Sequence, residues 1–134
     1  MDERRRTILL ADDSSTVRAV VERTFAEESF DVHSVADGEQ AIQEVRTLRP
    51  DIVIADVVMP KKDGYEVCAF IRATPELKHI PVLLLSGAFE SFDAARAAEV
   101  GGDGHLVKPF EPRLLIEKVT RLVGSGPRAG ATEG

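Results

Sequence analysis

The sequence predicts an α/β fold, a doubly wound parallel β-sheet with helices on both faces. Two observations support this prediction. Short apolar runs of strand length alternate five times with longer segments whose apolar residues recur at helical spacing. The runs also end at polar residues or glycine, as buried strands do where they meet loops. Five successive strand–helix units of this kind require right-handed crossovers and a parallel sheet.

The five apolar runs have the length and residue types of buried strands. The second run is less apolar than the others, which suits an edge position in the sheet. The third run ends at Asp56 and is predicted to form the central strand. The predicted strands cover residues 7–11, 31–36, 51–56, 82–85 and 105–107.

The segments that follow the strands are predicted to be helices. Ser14 or Ser15 can cap the first one, and Arg49 ends the second because a residue before proline disfavours helical backbone. The fourth is rich in alanine, with Phe92 its one large apolar residue, so we expect packing to hold it less firmly than the others. The predicted helices cover about residues 14–28, 38–49, 64–74, 90–100 and 111–123.

Composition limits the class of protein. A chain of 134 residues with 43% hydrophobic and 30% charged residues fits one globular domain, which we assign to residues 1–123. The remaining segment, 124–134, is rich in Gly, Pro, Ala and Ser and is predicted to be a flexible tail or linker. The net charge of −6 argues against direct binding of nucleic acid.

The sequence also predicts the compartment. No apolar segment approaches the roughly 20 residues of a membrane span, so we expect no membrane association. The single cysteine, Cys68, excludes an internal disulfide bond and indicates a reducing compartment. We therefore expect a cytoplasmic protein.

Reactive side chains stand at the ends of four predicted strands. Asp12 and Asp13 follow the first strand, Asp56 ends the third, Ser86 follows the fourth and Lys108 follows the fifth. Each has an ordinary local explanation: an Asp or Ser can cap a turn or helix, and a lysine is usually a solvated surface residue. Because ligands of open α/β sheets bind at the carboxyl ends of the strands, the set together indicates one site.

The residue types of this predicted site favour phosphoryl transfer. Clustered carboxylates repel one another unless a cation joins them, and Mg²⁺ prefers hard oxygen ligands in an open site. An aspartate, here Asp56, can attack phosphorus and carry an acyl phosphate. Such a transfer depends mainly on positioning and charge neutralisation, and Lys108 and Ser86 can donate to the phosphoryl oxygens.

From about residue 6 to residue 123, the sequence resembles the receiver (response-regulator) domains of two-component signalling and chemotaxis systems. This resemblance implies a flavodoxin-like fold with the sheet order 2-1-3-4-5. The motifs that carry it are Ala11-Asp12-Asp13, Asp56 with Met59-Pro60 and Asp63-Gly64, Ser86-Gly87, and Lys108-Pro109-Phe110.

The resemblance implies a role for each site residue. Asp56 accepts a phosphoryl group from a phosphohistidine of a sensor histidine kinase or a phosphotransfer protein, and Ser86 and Lys108 hold the phosphoryl oxygens. The protein then catalyses its own phosphotransfer and dephosphorylation instead of turning over a substrate. The resemblance also implies a cis peptide bond between Lys108 and Pro109. The implied Mg²⁺ ligands are Asp12 (mostly through water), Asp13, Asp56 and the backbone carbonyl of Val58.

The resemblance also implies a switch and an output surface. In receivers, the hydroxyl residue moves toward the phosphoryl group and an aromatic side chain turns inward behind it. The hydroxyl residue here is Ser86, and the aromatic position is occupied by His105. We hypothesise that His105 still acts as the switch, with packing at a strand end as its alternative role. An output partner is expected at the face formed by the fourth helix, the fifth strand and the fifth helix.

Two positions that influence hydrolysis of the acyl phosphate in receivers are Val58 and Ala88 in this chain. Neither side chain can position a water molecule, so we expect a long-lived phosphoryl group. Both residues can alternatively be small packing choices.

Three other functions are alternatives for this sequence. A pseudo-receiver, which is a protein–protein adaptor without a phosphate cycle, is the main alternative, and only His105 favours it. A metal-dependent phosphohydrolase with an aspartate nucleophile would carry an Asp-x-Asp motif after the first strand, whereas this chain has Asp12-Asp13-Ser14 there. A flavin-binding protein with a similar strand order would need a Ser/Thr/Gly-rich loop after the first strand. The acidic pair Asp12-Asp13 would repel the flavin phosphate.

Overall fold

The chain folds into a five-stranded parallel sheet with helices on both faces, and the computed structural model describes residues 5–124. The strands pair in the order β2-β1-β3-β4-β5. The α/β fold class and the 2-1-3-4-5 order are therefore confirmed. The elements are β1 (Arg6–Ala11), α1 (Ser15–Thr24), β2 (Phe30–Val35), α2 (Gly38–Leu48), β3 (Ile52–Asp56), α3 (Gly64–Ala73), β4 (Val82–Gly87), α4 (Ala94–Val100), β5 (Gly104–Lys108) and α5 (Pro112–Gly124).

The core lies on both faces of the sheet, and β3 contributes to each. All five residues of β3 are buried. Val53 and Ala55 belong to the cluster covered by α2, α3 and α4, whereas Ile52 and Ile54 belong to the cluster covered by α1 and α5. Successive side chains of a strand point to opposite faces, so a strand buried on both sides is apolar throughout. Asp56 ends this apolar run at the rim of the sheet.

The first helix is shorter than predicted. It was expected to reach about residue 28, but α1 ends at Thr24. After Phe25, residues 26–29 carry no large apolar side chain that would extend the buried face of the helix. Phe25 is buried and packs edge-to-face on Phe30, with ring centroids 5.2 Å apart. This contact holds the turn that leads into β2.

The fourth helix begins later than predicted, at Ala94 instead of about residue 90. Its start is fixed by Asp93, whose carboxylate accepts a hydrogen bond from the Arg96 N–H. Phe92 therefore precedes the helix. All seven residues of α4 are exposed or half-buried, in line with the weak packing expected from its alanine content.

Two glycines allow the loop after β3 to pack closely on its neighbours. A Cβ at Gly38 would lie 1.9 Å from the carbonyl oxygen of Lys62, and a Cβ at Gly64 would lie 2.5 Å from that of Asp56. Both distances are far below van der Waals contact, so a side chain at either position would push the loop away. The backbone at the end of β3 is thus held between the starts of α2 and α3.

The described residues contain no helix that is both long and apolar enough to cross a membrane. Cys68 is buried in the core on α3. The predicted tail begins at Gly124, the last residue of α5. The rest of it lies outside the described residues.

Candidate functional site

The fold brings the predicted site residues together at one edge of the sheet. Asp12 follows β1, Asp56 ends β3, Ser86 lies near the end of β4 and Lys108 ends β5. These strands are neighbours in the sheet, so their carboxyl ends converge. The Lys108-Pro109 peptide bond that follows β5 is cis, as the resemblance implied.

The centre of the site is a lysine that joins two buried carboxylates. The Lys108 ammonium donates to Asp56 Oδ2 at 2.9 Å and to Asp12 Oδ2 at 3.1 Å. Asp12 is fully buried and Asp56 is 3% exposed. Backbone N–H groups hold the other carboxylate oxygens, from Ser14 to Asp12 Oδ1 at 2.9 Å and from Val58 to Asp56 Oδ1 at 3.3 Å.

This environment perturbs the pKa of both groups in the central ion pair. Burial raises the pKa of Asp56 to about 6, and the hydrogen bond from Lys108 offsets part of that effect, while the charge of Asp12 adds to it. Burial alone would lower the pKa of Lys108. The hydrogen bond to Asp56 and the negative charges of Asp12 and Asp56 outweigh burial, so the pKa of Lys108 is raised. At neutral pH the site therefore holds an ionised lysine beside the ionised carboxylate of Asp56.

Three carboxylates fit a divalent cation. One oxygen each of Asp12, Asp13 and Asp56 can be chosen so that all three lie within 4.8 Å of one another. Asp13 is exposed, which leaves the group open to solvent on one side. An open set of hard oxygen ligands matches Mg²⁺, which retains several water molecules when it is bound.

Ser86 is coupled to the predicted switch residue. Ser86 is 1% exposed, and its Oγ lies 2.8 Å from Nε2 of His105, a hydrogen-bonding distance. The imidazole also stacks on the ring of Phe92, with centroids 3.5 Å apart and planes 10° apart. Burial, with the charge of Lys118, lowers the pKa of His105 and so favours its neutral form.

Contacts that no sequence pattern predicts extend this chain of residues to α4. The Asp93 N–H donates to the Tyr65 hydroxyl at 2.9 Å, and the Tyr65 ring lies 6.1 Å from that of Phe92. The guanidinium of Arg96 lies over the Tyr65 ring at 4.6 Å. Asp93 could have been recognised as a helix cap, but nothing in the sequence signals its pairing with Tyr65.

An apolar cavity adjoins the ion pair. It has a volume of about 450 Å³ and lies between the start of α1 and the loops that follow β4 and β5. Phe89, at its rim, is fully exposed. The apolar residues that line the cavity are Val17, Val20, Ala88, Phe89, Pro109 and Phe110.

Comparison with known proteins identifies the family. The sequence profile of the response regulator receiver domain matches residues 8–120. The chain belongs to the response regulator receiver family. The DNA-binding response regulator MtrA of Mycobacterium tuberculosis is 34% identical over 119 residues, which cover 89% of this chain and 51% of that protein. The chain thus spans about half the length of such curated relatives.

Solved receiver structures share the fold. A putative response regulator from Chloroflexus aurantiacus superposes with a TM-score of 0.84 at 32% identity, over 90% of this chain and 98% of that one. The receiver domain of a sensor histidine kinase from Pseudomonas aeruginosa superposes with a TM-score of 0.82 at 28% identity, over 90% and 98%. That crystal structure has a magnesium ion coordinated in its active-site cleft.

The raised pKa of Asp56 predicts a pH-dependent stability difference. The folded-state pKa of about 6 exceeds the ordinary value of 3.8, so folding favours the protonated carboxyl, and the ionised form destabilises the folded receiver. We expect Asp56→Asn, in metal-free buffer, to raise the free energy of unfolding by about 1–3 kcal/mol at about pH 8. The gain should shrink as the pH falls below 6 and vanish near pH 4.

Urea unfolding of both proteins across this pH range measures the effect. Glu99→Gln, which removes an exposed carboxylate on α4, is the matched control and should change stability little at any pH. A gain in Asp56→Asn that stays constant with pH would contradict the prediction.

Proposed function

We propose that this receiver domain accepts a phosphoryl group on Asp56 from a phosphohistidine of a sensor histidine kinase or a phosphotransfer protein. The observation that carries the proposal is the Lys108 ammonium, which holds the carboxylate of Asp56 beside that of Asp12 at the end of β3. A carboxylate at the rim of a rigid strand is a positioned nucleophile. The adjacent cation neutralises the charge that an incoming phosphoryl group brings.

In the proposed transfer, an oxygen of Asp56 forms a bond to phosphorus as the bond between phosphorus and the donor's imidazole nitrogen breaks. The imidazole leaves with the bonding electron pair, and Asp56 becomes an acyl phosphate. The pKa of about 6 keeps Asp56 ionised at neutral pH while making it more basic than an exposed carboxylate. Lys108 and Ser86 then donate to the phosphoryl oxygens.

The resident cation is proposed to be Mg²⁺, held by Asp12, Asp13, Asp56 and the backbone carbonyl of Val58. When bound, it would supply positive charge that offsets the negative charge of the carboxylates and of the phosphoryl group. The spacing of the three carboxylates supports this assignment, and so does the magnesium ion in the related histidine-kinase receiver.

The surfaces on either side of the site suggest where partners bind. The apolar cavity beside Asp56 fits the donor protein, because a donor must cover this edge to deliver its phosphohistidine. The output partner is assigned to the α4-β5-α5 face. Apolar exposure there supports it, since Val107 on β5 is 46% exposed and Leu114 on α5 is 42% exposed. We propose no direct contact with nucleic acid or with a membrane. We propose a cytoplasmic location for this protein, because its kinase partner is expected to donate the phosphoryl group in the cytoplasm.

The first test is phosphorylation itself. After incubation with Mg²⁺ and acetyl phosphate, we expect intact-mass spectrometry to show a single phosphoryl adduct. The adduct should be absent from Asp56→Asn and from protein treated with a metal chelator. If folded protein forms no adduct and does not bind beryllofluoride, a phosphoryl mimic, the chain is instead a phosphorylation-independent pseudo-receiver adaptor.

His105 is proposed as the switch that links Ser86 to α4. Phosphoryl binding withdraws the Ser86 hydroxyl from His105, and the stacked Phe92 transmits the movement to the start of α4. We expect beryllofluoride to shift the amide NMR signals of α4 in the wild type, and His105→Ala to reduce those shifts at least about twofold.

His105→Phe is the matched control for the switch, because it keeps an aromatic ring for stacking but loses the hydrogen bond. Its effect separates the contribution of the stack from that of the bond to Ser86. If α4 responds equally in His105→Ala and in the wild type, His105 is only a packing residue.

Val58 and Ala88 are proposed to make the acyl phosphate long-lived. Both are exposed at the rim of the site, and their apolar side chains cannot align an attacking water molecule. We expect Val58→Asn to speed loss of the phosphoryl adduct about tenfold, because an amide can hydrogen-bond that water. Intact mass followed over time after donor removal measures the decay. Val58→Ala, which adds no polar group, should decay like the wild type, and equal rates in all three proteins would rule out this role.

A further inference from the structure

The turn that follows β4 contains a carboxylate bound to the backbone beside the site. The Glu90 N–H donates to the Gly87 carbonyl at 3.1 Å, which closes the turn. The Gly87 N–H in return donates to Glu90 Oε1 at 2.7 Å. The pairing is tight, since a Cβ at Gly87 would lie 3.1 Å from Glu90 Cδ. Because Gly87 has no side chain, the Glu90 carboxylate has room to approach the Gly87 N–H.

The Gly87 N–H is directed toward the phosphoryl site. The Leu85 carbonyl accepts a hydrogen bond from the Val57 N–H, at 2.8 Å, on the β3 side of β4. Backbone groups two residues apart in a strand point to the same side. The N–H of Gly87 therefore points past the end of β3, which is at Asp56. On its other side, Gly87 is the register partner of Lys108.

A carboxylate and a phosphoryl group compete for donors of this kind, since both are anions with oxygen acceptors. Beside Asp56, the fold supplies the Lys108 ammonium, the Ser86 hydroxyl and, as the next donor along β4, the Gly87 N–H. The Lys108 ammonium contacts Asp56, and the Ser86 hydroxyl contacts His105. The Gly87 N–H is occupied by the Glu90 carboxylate.

We propose that Glu90 is an internal anion that occupies the Gly87 N–H until the phosphoryl group on Asp56 displaces it. This inference rests on the proposed phosphorylation of Asp56. Glu90 is then a positioning residue: it acts through Gly87 and sets how readily the site accepts a phosphoryl group. Its displacement frees the Glu90 side chain from the turn at residues 87–90, which also carries the exposed ring of Phe89 at the rim of the apolar cavity.

The competing role for Glu90 is that of a turn brace that prepares the loop for phosphoryl binding. The two roles predict opposite effects. If Glu90 competes with the phosphoryl group, removing its carboxylate strengthens binding of a phosphoryl mimic. If it braces the loop, removing it weakens binding or leaves it unchanged.

The test is the affinity of the 134-residue protein for beryllofluoride in the presence of Mg²⁺, measured by titration with NMR detection of the Gly87 amide. We expect Glu90→Ala to bind about threefold to tenfold more tightly than the wild type, because the mimic no longer displaces a charge-assisted hydrogen bond. Gly87→Ala, whose methyl group crowds the carboxylate, should also bind more tightly. Glu99→Gln, which removes an exposed carboxylate elsewhere, should bind like the wild type.

The Gly87 amide signal provides a second readout. Without beryllofluoride, we expect Glu90→Ala to move it upfield, because its short hydrogen bond is lost. Binding by Glu90→Ala that equals or falls below that of the wild type would overturn the inference, and so would an unmoved Gly87 signal. If the wild type binds beryllofluoride and loses binding in Asp56→Asn, the proposed function stands even when the inference about Glu90 fails. If none of the proteins binds, the proposed function fails and the inference falls with it.

Discussion

The ion pair between Lys108 and two buried carboxylates is the interaction on which the site depends. Burying Asp12 and Asp56 without a cation would leave two like charges together at low dielectric. The Lys108 ammonium lies within 3.1 Å of both and makes that burial tolerable. The raised pKa of Asp56 indicates that the compensation is incomplete. A carboxylate that remains costly to bury has the properties of a nucleophile and of a metal ligand.

Much of this arrangement could be predicted from the sequence, because it follows from strand ends. Asp12, Asp56, Ser86 and Lys108 each close an apolar run, and the parallel topology places those ends at one edge. The helix boundaries were harder to predict. Apolar spacing predicts a longer α1, because Phe25 continues the helical spacing. In the structure the helix ends at Thr24, and Phe25 packs into the core from the turn that follows.

The contacts around the site could not be predicted in the same way. The hydrogen bond between Ser86 and His105 and the stack on Phe92 join segments that are distant in the sequence. Their geometry depends on rotamers and on how the loop after β4 turns. Composition did anticipate the weakness of α4, because an alanine-rich segment buries little area. Polar contacts also tie that helix to α3, such as the hydrogen bond between the Tyr65 hydroxyl and the backbone N–H of its cap residue, Asp93.

Because Lys108 lies on β5, the site can form only late in the synthesis of the chain. Its carboxylate partners lie 52 and 96 residues earlier, so a nascent chain contains the acidic residues long before their cation. Until β5 joins the sheet, the edge at β4 lacks its neighbour and the two aspartates resist burial. Native-like closure of this edge therefore requires the C-terminal part of the chain, so the site forms only when the domain is complete.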